Sequence, residues 1–181
     1  MKIILMLLMF VGVVFGDRDG GPYIGVGYGI SKYNDNGLYG SLKSDSSNSA
    51  TIYGGAYINK HLSVELGYAS FDAWDKKNGY EIDELTKLSY SATTVSVLAH
   101  YAFFDDTLDF YAKGGVGQID VSGISANGFT ITYGVGVGVR FSDLLGMKVA
   151  YDRYTFEYKD PSSGNYDMYI DFMYGALEFQ F

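Results

Sequence analysis

The stretch Phe129-Thr130-Ile131-Thr132-Tyr133-Gly134-Val135-Gly136-Val137-Gly138-Val139-Arg140-Phe141 alternates without a break. Every odd position carries an apolar or aromatic side chain, and every even position a small or polar one. Successive side chains of an extended chain point to opposite faces, so the segment reads as a strand with an oily face and a narrow one.

The same period recurs along the chain. Ile24, Val26, Tyr28 and Ile30 oppose Gly25, Gly27 and Gly29, while Leu62, Val64, Leu66 and Tyr68 oppose Ser63, Glu65, Gly67 and Ala69. Thr93 to Phe103, Leu108 to Gly117, Met147 to Asp152 and Met173 to Phe181 alternate likewise, and with the less decisive Thr51 to Ile58 the strands number eight. Connections after odd strands are long and polar: Tyr33 to Asn48, Asp72 to Leu88, Asp120 to Asn127 and Tyr158 to Asp167. Those after even strands, Asn59-Lys60-His61, Phe104 to Thr107 and Ser142 to Gly146, are short. Long loops at one end and tight turns at the other are the layout of a membrane barrel.

Composition removes other classes. The 181 residues include no Cys, so neither a disulfide scaffold nor cysteine-ligated zinc is available. A formal charge of −8 opposes nucleic-acid binding, which needs an excess of Lys and Arg. Lys2, the apolar run Ile3 to Phe15 and Gly16 before Asp17 read as a secretory signal peptide over 1–16, leaving 17–181 as one barrel domain. No later segment suits a spanning helix, since the longest one free of Asp, Glu, Lys and Arg, Val121 to Val139, contains Ser122, Ser125 and Asn127. The 24 Gly beside 18 Tyr and 12 Phe, with only 2 Pro, remain to be explained.

The expected fold is all-β, an eight-stranded antiparallel up-and-down transmembrane β-barrel. Closure follows from the solvent, because each unpaired backbone group in hydrocarbon costs several kcal/mol. Aromatics settle at headgroup level. Tyr101, Phe103, Phe104, Phe141, Phe179 and Phe181 are expected to form the periplasmic girdle, with Tyr33, Phe71, Trp74, Tyr90, Tyr154, Phe156, Tyr158, Tyr166 and Tyr169 at the opposite rim.

Three segments carry a family resemblance. Ser63-Val64-Glu65-Leu66-Gly67-Tyr68, after the turn that follows Tyr57-Ile58-Asn59, resembles the second hairpin of OmpA-type outer-membrane barrels. Lys148-Val149-Ala150-Tyr151-Asp152-Arg153-Tyr154 is similar to the penultimate strand, although Asp152 stands where a basic or amide residue is common. Met173-Tyr174-Gly175-Ala176-Leu177-Glu178-Phe179-Gln180-Phe181 resembles the terminal signal read by the barrel-assembly machinery, with Gly175, Leu177, Phe179 and Phe181 on one face. The resemblance implies an outer-membrane location. It carries over no wall-anchoring domain.

An eight-stranded barrel is just wide enough for side chains to fill. Inward glycines on the first and sixth strands leave room for Glu65, His100, Tyr111, Lys113, Arg140, Lys148, Asp152, Tyr174 and Glu178. Acids and bases balance there, as buried charges require. A polar plug in the periplasmic half is expected, and exchange of its pairs would instead make a narrow gated pore.

Enzyme-like signals are weaker. Gly25-Val26-Gly27-Tyr28-Gly29 and Gly134-Val135-Gly136-Val137-Gly138 sit mid-strand, whereas phosphate-binding glycines open a helix. His61-Leu62-Ser63 has the His-x-Ser form of lipid A deacylases but falls at a periplasmic turn, so His61 reads as a turn histidine. Asp105-Asp106 with Asp109 reads as a solvated acidic turn, and neither a metal nor a cofactor is expected. Asp72 to Lys87 and the Ser-rich Ser41 to Ser49 read as solvated outer loops able to hold a surface ligand. The expected role is structural or surface-interaction, in envelope integrity or adhesion, without enzymatic activity. Expected partners are outer-membrane lipid and lipopolysaccharide and, during biogenesis, the assembly machinery, around a monomer. A lipid A-modifying enzyme is the rival.

Overall fold

The computed structural model describes residues 21–34, 46–74, 88–104, 107–121, 126–160 and 164–181. The expected signal peptide and most of the outer-loop residues lie outside them. Eight strands follow in order: β1 (Gly21–Asn34), β2 (Ser46–Asn59), β3 (Leu62–Trp74), β4 (Leu88–Phe103), β5 (Leu108–Val121), β6 (Ala126–Arg140), β7 (Leu145–Asp160) and β8 (Gly164–Gln180). Each pairs antiparallel with its neighbour, and β8 returns to β1, so the sheet is a closed barrel. No helix of the described residues is long and apolar enough to cross a membrane.

The ladders reach past the expected strand ends. β7 continues to Asp160 and β8 begins at Gly164, with Tyr158 paired to Tyr166, so most of the expected loop Tyr158 to Asp167 is strand. Following partners once around the wall, from Ile24 through Gly54, Leu66, Val95, Val116, Ile131, Thr155 and Tyr169, returns to β1 at Asn34. The displacement, 34 − 24, gives a shear of ten residues. Eight strands with that stagger tilt by about 40° and enclose a space that side chains can fill.

The two faces invert the soluble pattern. Outward positions such as Ile24, Val26, Leu66, Val95, Val116, Val135, Val149 and Leu177 are exposed, while Glu65, Lys113, Lys148 and Asp152 are buried inside. An apolar belt of that extent marks a surface made for lipid. Tyr101, Phe103, Phe104, Phe141, Phe179 and Phe181 are exposed at the end carrying the short turns.

The opposite rim departs from expectation. Tyr33, Phe71, Tyr90, Tyr154 and Phe156 are buried inside the barrel and do not face lipid. Their strand parity decides this: Phe71 shares a face with Glu65, and Tyr154 shares one with Lys148 and Asp152. Tyr169 lies on the outer wall beneath the Arg153 guanidinium, whose carbon is 4.4 Å from the ring centroid. The side chains of Trp74, Tyr158 and Tyr166 fall outside the described residues.

The glycine and tyrosine excesses meet on the inner wall. A Cβ on Gly25 would strike the Tyr53 ring, one on Gly55 the Tyr23 ring, and one on Gly136 the Tyr111 ring. Each glycine is thus a floor on which an inward tyrosine lies. Glycine also lets neighbouring strands come close. A Cβ on Gly117 would stand 2.0 Å from the Thr93 carbonyl oxygen, which is backbone and cannot swing aside, whereas one on Gly114 would meet nothing within 4 Å. Gly117→Ala is expected to destabilise the barrel by about 1–3 kcal/mol, as overpacking does. Gly114→Ala is expected to stay within about 0.5 kcal/mol of the parent. Urea unfolding in lipid vesicles, read by gel mobility, compares the two.

Candidate functional site

The interior has two storeys. Toward the long connections, Phe71, Ile170 and Phe172 are wholly buried among Tyr90, Ile119, Tyr154 and Phe156. The Phe71 ring meets those of Phe172 and Tyr154 edge-on, at centroid separations of 5.6 and 5.3 Å. Phe172 stacks on Tyr174 at 4.6 Å. This apolar upper storey was not expected from the sequence.

Below it runs a chain of ion pairs. Asp152 Oδ2 accepts from Lys113 Nζ at 2.5 Å and from the Tyr174 hydroxyl at 3.1 Å. Lys113 also reaches Glu65 Oε1 at 3.5 Å. Glu65 Oε2 accepts from Lys148 Nζ at 3.4 Å, and Lys148 continues to Glu178 Oε2 at 3.4 Å. Lys148 Nζ also stands 3.7 Å from the centroid of the Tyr53 ring, whose face carries negative charge density. Five of the named interior residues, Glu65, Lys113, Lys148, Asp152 and Glu178, are joined in this way.

Of the other four, Tyr174 is bonded to Asp152, while Arg140 and His100 take partners outside the chain of ion pairs. Arg140 donates to the Gln180 amide oxygen at 2.5 Å, so the acid-base balance counted from sequence is not a set of three pairs. His100 Nδ1 lies 2.7 Å from Asp109 Oδ2, and His100 Nε2 lies 2.8 Å from Ser63 Oγ. Asp109 is buried, which corrects its reading as part of a solvated turn; Asp105 and Asp106 lie outside the described residues. Ser63 is inside the wall with no exposed surface, and its partner is His100, not His61 of the His-x-Ser tripeptide. The exposed His61 stays in the turn, its amide bonded to the Asn59 side chain at 2.8 Å. Tyr23 links both groups, its hydroxyl 3.3 Å from Ser63 Oγ and 3.4 Å from Glu65 Oε2.

Tilt explains why three strands meet in the Ser63 group. Ser63 of β3 pairs with Leu98 of β4, so His100 is its diagonal neighbour, and His100 pairs with Tyr111 of β5, so Asp109 is the next diagonal. Diagonal partners on one face are within reach of long side chains. Below them a cavity of about 50 Å³ opens among the short turns, lined by Tyr23, Tyr57, His100, Asp109, Arg140 and Lys148. Among the described residues no group of His, Asp and Glu is placed to hold a metal ion.

A closed wall, lipid-facing outside and filled inside, defines an eight-stranded transmembrane barrel. The chain belongs to the outer membrane protein beta-barrel domain family, whose profile matches residues 3–177. No curated protein matches its sequence. Among solved structures, Neisserial surface protein A superposes with a TM-score of 0.68 at 12% identity, over 89% of this chain and 97% of that one. OprG from Pseudomonas aeruginosa gives 0.54 at 13%, over 89% and 96%. Ail, the attachment invasion locus protein of Yersinia pestis, gives 0.52 at 16%, over 90% and 99%. These likenesses are of fold. Family membership puts the barrel in the outer membrane.

Proposed function

We propose that this chain is a sealed barrel of structural or surface-interaction type, which holds the envelope together or presents its outer loops to a ligand and does not conduct solutes. The carrying observation is the filled interior, with an aromatic storey above and an ion-paired storey below. Export by the segment 1–16, assembly through Gly175, Leu177, Phe179 and Phe181, contact with lipopolysaccharide and a monomeric state complete the proposal. Leu177, Phe179 and Phe181 are exposed on the outer wall, open to an assembly partner. Lipid A hydrolysis is not part of it, because Ser63 lies inside the wall, out of reach of a lipid outside.

In planar bilayers the purified barrel is expected to leave conductance at background. Steady channels well above background would overturn the sealed reading. Adhesion is tested separately, by binding of cells that display the barrel to host surfaces before and after deletion of residues 75–87.

A further inference from the structure

The Ser63 group is more than a structural hydrogen bond in its layout. Ser63 Oγ, His100 Nε2, His100 Nδ1 and Asp109 Oδ2 are joined in series, with separations of 2.8 and 2.7 Å at the two bonds. A carboxylate can only accept, so in the neutral imidazole Nδ1 donates to Asp109 and Nε2 is left to accept the serine proton. That is the order nucleophile, base and orienting acid require, and such constellations are recognised by geometry and not by fold. The imidazole is held between the rings of Tyr57 and Tyr111, at centroid separations of 5.0 and 5.7 Å.

We propose that Ser63, His100 and Asp109 form a nucleophilic site that takes an acyl group from small carboxylic esters entering through the short-turn mouth. This goes beyond the sealed structural role and does not depend on it. The cavity below the site has room for an acetyl-sized group, and its open side leaves space for the alcohol portion. His100 and Tyr23, both bonded to Ser63, line that cavity, so the serine is one side chain behind its wall.

In the forward step the bond from Ser63 Oγ to the acyl carbon forms while the serine proton passes to His100 Nε2. The ester C–O bond then breaks, and the same proton leaves with the alcohol. Water reverses the sequence, giving its proton to His100 as it attacks the acyl-serine and releasing carboxylic acid with Ser63 restored. Asp109 holds the imidazole in the productive tautomer and is a positioning residue. The Tyr23 hydroxyl, 3.3 Å from Oγ, donates to Glu65 Oε2 at 3.4 Å in the resting site, and turning that proton onto the acyl oxygen would supply a donor for the developing oxyanion.

The test treats the folded, detergent-solubilised chain with p-nitrophenyl acetate and locates the acetyl group by peptide mass spectrometry. An adduct on Ser63, formed faster than in urea-unfolded protein, is the expected result. His100→Asn is expected to slow it by about 10²–10⁴-fold, as loss of a general base does. Asp109→Asn is expected to shift the pH profile of acylation as well as its rate, which a merely structural contact would not do. Heat-modifiable gel mobility reports the folding of each variant. Acetylation confined to lysines, or a folded wild-type chain whose Ser63 reacts no faster than when unfolded, overturns the proposal whatever the variants do.

Discussion

Asp152→Ala is expected to destabilise the folded barrel by about 3–5 kcal/mol, the usual cost of stripping one partner from a buried ion pair. Asp152 is 1% exposed and accepts from both Lys113 Nζ and the Tyr174 hydroxyl. Its removal leaves an ammonium inside the wall with only the 3.5 Å contact to Glu65. Alanine also brings no hydrogen-bonding group in its place. The penalty comes from the orphaned charge and not from a net worth of the pair, so a second substitution separates the two. Lys113→Met in the Asp152→Ala background removes the orphan and is expected to recover most of the loss. Urea unfolding of the single and double variants in lipid vesicles measures it. A double variant no more stable than Asp152→Ala alone would show that the carboxylate matters for another reason.

Phe172→Ala is expected to cost about 3–5 kcal/mol, in the range for truncating a fully buried aromatic. No part of the ring is exposed, and it packs against Phe71 and Tyr174. The void it leaves is flanked by rings that fill in only partly. Phe172→Leu keeps most of the volume and is expected to cost less. The same truncation probes sealing, since Phe71→Ala with Phe172→Ala removes the two largest fully buried side chains of the upper storey. That pair is expected to raise conductance where the parent shows none. Wild-type conductance equal to that of the pair would place the seal elsewhere.

The parity of the strands was legible in the sequence wherever alternation was strict. Phe129 to Phe141 sorts cleanly, its odd residues exposed and Thr130, Thr132, Gly134 and Gly136 buried. Glu65, Lys113, Lys148 and Asp152 follow from the same counting. Tyr33, Phe71, Tyr90, Tyr154 and Phe156 lie inside because parity, and not nearness to a strand end, decides which way a side chain points. Phe71 lies in the series Ser63, Glu65, Gly67, Ala69, and Tyr90 in the series Ala92, Thr94, Ser96, all buried or inward. Counting on by two would have put both inside. Strand ends were harder, since a ladder such as Tyr158 to Tyr166 is held by backbone bonds that leave no side-chain signature. The Ser63, His100 and Asp109 series needed register as well as parity. Alternation puts all three on the inner face, but only the pairings Ser63 to Leu98 and His100 to Tyr111 make them diagonal neighbours.

Composition also reads differently once the faces are known. Glycine and tyrosine are not simply divided between interior and lipid boundary, because Tyr23, Tyr53 and Tyr111 lie on inward glycines. Backbone approach and ring packing thus use the same residues. The rings and the inward glycines pack closely for that reason.

The lipid-facing wall is tested most directly by single-cysteine scanning of positions 129–141, which is straightforward in a chain without native cysteine. A nitroxide attached at each position in lipid vesicles reports its collisions with oxygen, which partitions into lipid, and with a water-soluble nickel complex. Positions 131, 133, 135, 137 and 139 are expected to show high oxygen and low nickel accessibility, and positions 132, 134 and 136 to be shielded from both. Odd positions as open to the nickel complex as a label on a water-exposed turn would contradict a barrel whose apolar face meets lipid.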